Sequence, residues 1–231
     1  MRMRIGVSLI FVICCSGAIP ATAQFALIKD RPYEATKTRI IHNADQSFSV
    51  SGRVARNSDS STYEEITNKK TGEIELISIL DVPGQRQILL DVKHKRYTVS
   101  PASIPPLGAP PSEEAKQKNI KYLKELKPSH ESDNGAEIEV TPLGFRTLDG
   151  FQEFGTRRTY ERMAPSSSLK EKVWEVWWIP EWSIRVESIG FDADNNPSNI
   201  TRLSNIETKE PDPQLFEIPK DYTAMPASSS K

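Results

Sequence analysis

Between Ser47 and Arg56 apolar and polar side chains alternate: Phe48, Val50 and Val54 fall on one side of an extended chain, and Ser47, Ser49, Ser51 and Arg53 on the other. Period two over ten residues predicts a half-buried strand of an antiparallel sheet. Similar short runs, broken by Gly, Pro, Asn and Asp, fill most of Thr36 to Asp192. The run Ile74 to Leu80 is more apolar and ends at Asp81 before a Pro83-Gly84 turn. Gln87 to Asp91 and Arg96 to Ser100 flank the polar Val92-Lys93-His94-Lys95, so Glu73 to Ser100 reads as a three-stranded meander. Further strands are predicted at Glu137–Thr141, Phe145–Leu148, Phe151–Tyr160 and Val173–Ile179, with Pro142 and Asp149-Gly150 as separators and Ser129–Ala136 as a polar loop. Ser183–Asp192 pairs with Asn199–Thr208 across the turn-rich Ala193 to Pro197. No repeat at solenoid or propeller period is visible.

One stretch breaks this pattern. Pro101 to Pro111 holds five prolines and reads as a stiff extended connection. Ser112 to Lys127 follows as the one convincing helix. Ser112 serves as its cap, Glu113 and Glu114 complement its N-terminal dipole, and Pro128 ends it. Ala115, Tyr122, Leu123 and Leu126 form a modest apolar face, while the lysines lie mostly elsewhere.

The chain begins with Arg2 and Arg4, an apolar run from Ile5 to about Ile19, and the small-x-small site Ala21-Thr22-Ala23. This is the form of a secretory leader, residues 1–23, cleaved after Ala23 to place the mature chain in the periplasm or outside the cell without a transmembrane anchor. Two rivals fit less well. A lipoprotein signal needs a small residue before its cysteine, but Ile13 precedes Cys14 and Cys14 precedes Cys15; an uncleaved anchor would need a longer apolar run. Cleavage removes both cysteines and leaves 208 of the 231 residues, enough for one curved-sheet domain over residues 24–223, with 101–128 as its proline connection and helix. The small polar tail, 224–231, reads as disordered. Without Arg2 and Arg4 the 30 basic residues become 28 against 31 acidic, a net charge near −3 that gives no nucleic-acid footprint.

Catalytic chemistry finds little to build on. His42, His94 and His130 lie far apart in the sequence, and none sits at a metal-ligand spacing. No Gly-x-Ser-x-Gly elbow or phosphate-cradling glycine loop occurs. Asp192-Ala193-Asp194-Asn195-Asn196 starts like a calcium loop, but Pro197 stands where glycine is needed and Leu203 where the bidentate Glu belongs. Glu64 and Glu65 are adjacent on a strand and so face opposite ways. These residues predict no enzyme, no metal and no cofactor. The four tryptophans, Trp174, Trp177, Trp178 and Trp182, fall within nine residues. On a strand Trp174 and Trp178 share a face and Trp177 takes the other. Two readings stay open: a strand covered on both sides, or an aromatic wall for an apolar guest.

Several segments resemble one family. Leu143 to Gly150 followed by Gly155-Thr156-Arg157, then Glu175 to Trp182, and above all Asn205-Ile206 with Glu210-Pro211-Asp212-Pro213-Gln214-Leu215-Phe216-Glu217-Ile218-Pro219-Lys220-Asp221-Tyr222, resemble exported bacterial proteins related to the outer-membrane lipoprotein carriers of the Lol type. Gly52 to Arg56, Ile79 to Asp81 and Leu90-Asp91 match more loosely. The resemblance implies a mainly β (α+β) fold, a strongly curved antiparallel sheet or half-barrel with one or two covering helices. The expected function is non-catalytic binding of an apolar or lipid-like ligand, a lipoprotein or an envelope protein in the concave face, with Trp174, Trp178, Tyr122, Leu123 and Leu126 as site residues. The alternative is a structural or protein-interaction module whose concave face is filled by its own side chains. Leu215-Phe216 is expected to anchor the C-terminal segment.

Overall fold

The computed structural model describes residues 28–42, 47–68, 70–133, 136–162 and 172–225. The leader and its cleavage site lie outside these residues, as does the tail beyond Met225. The strands are β1 (Tyr33–His42), β2 (Ser47–Arg56), β3 (Thr62–Thr67), β4 (Ile74–Asp81), β5 (Arg86–Asp91), β6 (Arg96–Pro101), β7 (Ser129–Asp133), β8 (Ala136–Leu148), β9 (Phe151–Arg162), β10 (Val173–Ile179), β11 (Ile184–Phe191), β12 (Pro197–Glu207) and β13 (Thr223–Ala224). Helix α1 (Glu113–Glu125) lies between β6 and β7.

All these strands join one sheet in the order β13-β6-β5-β4-β3-β2-β1-β12-β11-β10-β9-β8-β7. Every pairing is antiparallel except β13 on β6. Hairpins build each half, and the pairing of β1 with β12 joins the halves at mid-sheet. The two ends do not meet, so the sheet is an open, curved half-barrel. The β4–β6 meander matches the turn chemistry read from the sequence.

Two departures have physical causes. Pro142 does not divide two strands; β8 runs through it, absorbing the imino residue at a register shift before Gly144, whose φ is +82°. Ser129–Asp133 is not a loop but the edge strand β7, paired with Val140 back to Ala136. Its Ser-His-Glu-Ser-Asp sequence is polar because an edge strand gains from charge and hydroxyl groups, so it carries no apolar alternation to reveal it.

Helix α1 begins where its cap predicts: the Ser112 hydroxyl accepts from the Ala115 N–H at 3.2 Å. The proline connection brings the chain to it along the turn-bearing end of the sheet. Ala102 N–H donates to Gln85 O at 2.9 Å, and Lys29 N–H to Gly108 O at 3.2 Å, where Ile28 and Gly108 form a single parallel bridge. Few segments other than polyproline-like chain could run so far without their own hydrogen-bond ladder.

Candidate functional site

The pairing registers trace one continuous face across the sheet. Ile66 opposes Leu76, and Leu89 opposes Ser78; Glu64 opposes both Ser78 and Val54. The same face continues through Ala35 and Lys37, Leu203 and Thr201, Ser188, Val176, Trp178 and Phe154. Helix α1 lies on this side, because Leu123 packs in one buried cluster with Phe154 and Trp178. We call it the α1 face. The Phe154 ring meets Phe145 at 5.0 Å and Trp178 at 5.1 Å, both edge to face.

The opposite face is covered elsewhere. Ala55, Tyr63, Ile79, Ile88 and Leu90 form a second cluster on β2–β5, and Leu215, Phe216, Ile218 and Tyr222 pack onto it. The C-terminal segment thus crosses the back of the sheet and ends as β13 on β6. Thr223 and Met225 N–H groups donate to Lys95 O and Tyr97 O, and Lys95 Nζ reaches Asp221 at 2.8 Å. Phe216 is half-buried rather than fully enclosed. The two coverings therefore sit on opposite faces and over opposite halves. α1 covers β8–β10 on one side, and the tail covers β2–β6 on the other.

That offset leaves the α1 face of β3–β5 bare among the described residues. Ile66, Leu76 and Leu89 lie there with 39%, 37% and 36% of their surface exposed. Ile74, at 37%, flanks them beside the register shift at Thr67. A Lys37–Glu64 ion pair of 2.5 Å borders this apolar strip on the β1 side. Toward α1 two clefts open at the helix's N-terminal half. One of about 330 Å³ is lined by Ile28, Ala109, Pro111, Ala115 and Asn119; one of about 250 Å³ by Phe151, Gln152 and Ile179. Ile120, Pro180 and Glu181 belong to both. Between them Lys116 Nζ bonds Glu181 at 2.8 Å and Glu113 at 2.5 Å, tying the helix to the β10–β11 turn.

Of the residues singled out in the sequence, Leu123 and Trp178 are buried against one another's neighbours, at 7% and 3% exposure, and Leu126 packs beside them. Trp174 is half-buried on the same face, opposite Arg158 and Gly190. Tyr122 projects toward solvent at 39% exposure. The bare strip on β3–β5 has no counterpart among the residues expected from sequence. A signal for it is nevertheless present: Ile74 to Leu80 is apolar at both parities, with Leu76 and Leu80 on one face and Ile77 and Ile79 on the other. A strand with only one covered face does not need that.

Trp177, on the back face, lies over Gly155 and stacks on Arg146, whose guanidinium carbon is 3.9 Å from the ring centroid. Arg146 bonds Glu153 at 2.7 Å and Glu187 at 2.8 Å, and Arg202 also bonds Glu187. Both carboxylates are nearly fully buried, so this network is a charge-compensated cluster in contact with the indole. Burial pushes the Glu153 carboxyl above its usual range, against the lowering pull of Arg146. Among the described residues no three His, Cys, Asp or Glu side chains gather as metal ligands, and no helix is long and apolar enough to cross a membrane.

No family model matches the chain, and no curated protein does. Solved structures do. An uncharacterized conserved protein from Thermus thermophilus is 10% identical over 89% of this chain and 93% of its own, with a TM-score of 0.49. A LolA superfamily protein from Nitrosomonas europaea is 8% identical, covering 87% and 98%, with a TM-score of 0.31. A putative outer membrane lipoprotein-sorting protein domain from Vibrio parahaemolyticus is 10% identical, covering 84% and 92%, with a TM-score of 0.30. The last two belong to the group that the sequence motifs resemble. At such scores the half-barrel rests on the strand order and the functional reading on the geometry above.

Proposed function

We propose that this is a non-catalytic exported protein that binds an apolar or lipid-like guest on the α1 face of its half-barrel. The observation that carries this reading is the bare strip: Ile66, Leu76 and Leu89 stand exposed on the same face that α1 crosses, while the back of these strands is already covered by the tail. Of the seven exposed large apolar side chains among the described residues, Ile66, Ile74, Leu76 and Leu89 gather beside one another here, and such a gathering favours a binding role. The guest lies along β3–β5 and reaches toward the clefts beside Ile120. Trp178, Phe154 and Leu123 form the wall at the other end, and Trp174 the half-buried extension of that wall. Export through the 1–23 leader, with a mature chain starting at Gln24, brings it to envelope lipids or lipoproteins; an envelope protein is the alternative occupant of the same strip.

The test is titration of an environment-sensitive apolar probe, such as an anilinonaphthalene sulfonate or a fluorescent fatty acid, into the mature chain and into Leu76→Asp and Leu89→Asp. Both side chains are more than a third exposed, so the variants should remain folded, losing about 1 kcal/mol of stability, more for Leu76→Asp because Asp91 stands opposite it. Each placed charge should weaken saturable probe binding at least tenfold, a loss of about 1.4 kcal/mol. Equal binding in parent and variants, or no saturable binding in the parent, would reject the guest-binding reading. A parent that binds no probe but loses an envelope protein partner on Leu76→Asp would leave the interaction-module reading in its place.

A further inference from the structure

Arg56, the last residue of β2, is 5% exposed, yet neither of its hydrogen bonds goes to an acid. Its Nε–H donates to the Arg31 carbonyl at 2.9 Å and its Nη2–H to the Trp182 carbonyl at 2.8 Å. These use two of the five N–H groups a guanidinium carries. The guanidinium carbon stands 5.0 Å from the Tyr33 ring centroid. Arg31 converges on the same place: its guanidinium carbon is 5.3 Å from the Trp182 ring, and its Nε is buried without a partner. Two cations thus meet at the β10–β11 turn with no carboxylate on either among the described residues.

The acids nearby are engaged elsewhere or stand in water. Glu34 pairs with Arg53, Glu181 with Lys116, and Glu210 bonds Ser58. Asp30 is exposed and forms no ion pair among the described residues. Buried arginines are ordinarily paired, since an uncompensated charge out of water is costly. Burial holds the Arg56 guanidinium below its usual pKa, against a raising pull from Tyr33 and with a smaller lowering push from the positive charge of Arg31. The arrangement therefore carries a standing electrostatic cost that a bound anion would relieve.

We propose that Arg31 and Arg56, walled by Tyr33 and Trp182, form a binding site for an oxyanion of the phosphate class. Two guanidinium planes suit a tetrahedral, multiply charged oxyanion better than one planar carboxylate, which a single guanidinium already satisfies. Arg31 and Trp182 are half-buried, so part of each is within reach of solvent beside the β10–β11 turn. The oxyanion is either free phosphate or the phosphate of a lipid headgroup. The site is independent of the apolar strip: it rests on β2, the 28–33 segment and the β10–β11 turn, and it stands or falls whether or not the strip holds a guest.

The test is thermal unfolding of the mature chain in phosphate and in chloride at matched ionic strength, for the parent and Arg31→Gln. Phosphate raises the midpoint of many proteins by exclusion from their surface, and that part of the rise persists in the variant. The site-specific part should not. At tenfold over the dissociation constant it should be roughly 3–6 °C for a chain of this length, and Arg31→Gln should remove it. The Arg31 side chain packs on the Trp182 ring and its Nε bonds nothing, so its variant should fold. Arg56→Lys, which keeps the charge but not the two-carbonyl bracket, is a second probe and should weaken phosphate stabilisation. Calorimetric titration of the parent with phosphate should show saturable heat. A phosphate response equal in parent and Arg31→Gln, or the absence of saturable heat, overturns the site. Flotation with phosphatidylglycerol vesicles, compared between parent and Arg31→Gln, then separates the sources: Arg31-dependent flotation assigns a lipid headgroup, and an Arg31-dependent phosphate response without flotation assigns free phosphate.

Discussion

Replacing Gly155 with alanine places a methyl carbon where the structure has no room for one. An ideal Cβ at this position would lie 2.7 Å from two atoms of the Trp177 six-membered ring and 2.8 Å from a third. Carbon atoms in ordinary contact stand about 3.5–4.0 Å apart, so the indole must move by roughly 1 Å. It cannot do so freely, because the ring also stacks on Arg146 at 3.9 Å, and Arg146 is held by the buried Glu153 and Glu187. Overpacking of this kind costs about 1–3 kcal/mol, and loosening the cation–ring contact adds roughly 0.5–1 kcal/mol. For a chain of this length, the combined loss of about 1.5–4 kcal/mol corresponds to a fall in melting temperature of about 3–16 °C. The discriminating assay is a double-mutant cycle with Trp177→Ala. If the indole is the obstacle, Gly155→Ala should be nearly neutral once the ring is gone, and the coupling should be of the order of 1 kcal/mol or more. An equal cost in both backgrounds would show that the penalty lies in the strand backbone, and the reading of Gly155 as a seat for Trp177 would be wrong.

Phe216→Ala should cost about 2 kcal/mol by chemical denaturation, below the roughly 3–5 kcal/mol of a fully enclosed ring because Phe216 is only half-buried on the Ala55–Tyr63–Ile79 cluster; a loss under about 0.5 kcal/mol would show that the tail is not docked. The pH dependence of Glu153→Gln carries a definite sign. A carboxyl whose folded pKa is raised binds its proton more tightly folded than unfolded, so its ionisation takes stability away as pH rises from the unfolded value through the folded one. On acidification from neutrality to about pH 4, near the ordinary glutamate value, the parent should gain stability relative to Glu153→Gln. A relative loss for the parent would mean that Arg146, rather than burial, dominates that site.

Legibility in the sequence followed from whether a segment's pattern reports its own environment. β2 alternates because one side is wet, and the meander of β4–β6 is marked by its turns, so both were readable. Ser112, Glu113 and Glu114 announced α1 through the chemistry of the helix terminus itself. β7 escaped because an edge strand is defined by its neighbour and not by its own polarity. Pro142 misled because the penalty for proline in a strand vanishes where the ladder is already broken by a bulge. The candidate site shows the same division. The clustering of Trp174 to Trp182 pointed to the covered wall of the α1 face, where Trp178 and Leu123 meet around Phe154. Ile66, Leu76 and Leu89 could not be gathered from sequence, because their shared face depends on two pairing registers.

The placement of the two coverings is the feature from which the functional reading grows. A half-barrel with both coverings on one face would bury its apolar strands and expose a polar back. Here the tail takes the back of β2–β6, where Ile79 and Ile88 are almost inaccessible, and α1 takes the front of β8–β10. The strands β4 and β5 then carry apolar residues on both sides, while among the described residues only one side is shielded by the chain. Leaving Ile66, Leu76 and Leu89 in water costs the folded state stabilisation it would gain by burying them, about 25 cal/mol for each Å² left wet. An apolar guest on the strip would recover that stabilisation, which is why the proposed guest is placed there. The position of α1 fits this. It is tied by Lys116 to Glu181 and packed through Leu123 at the far end of the same face, so it bounds the strip without lying on it.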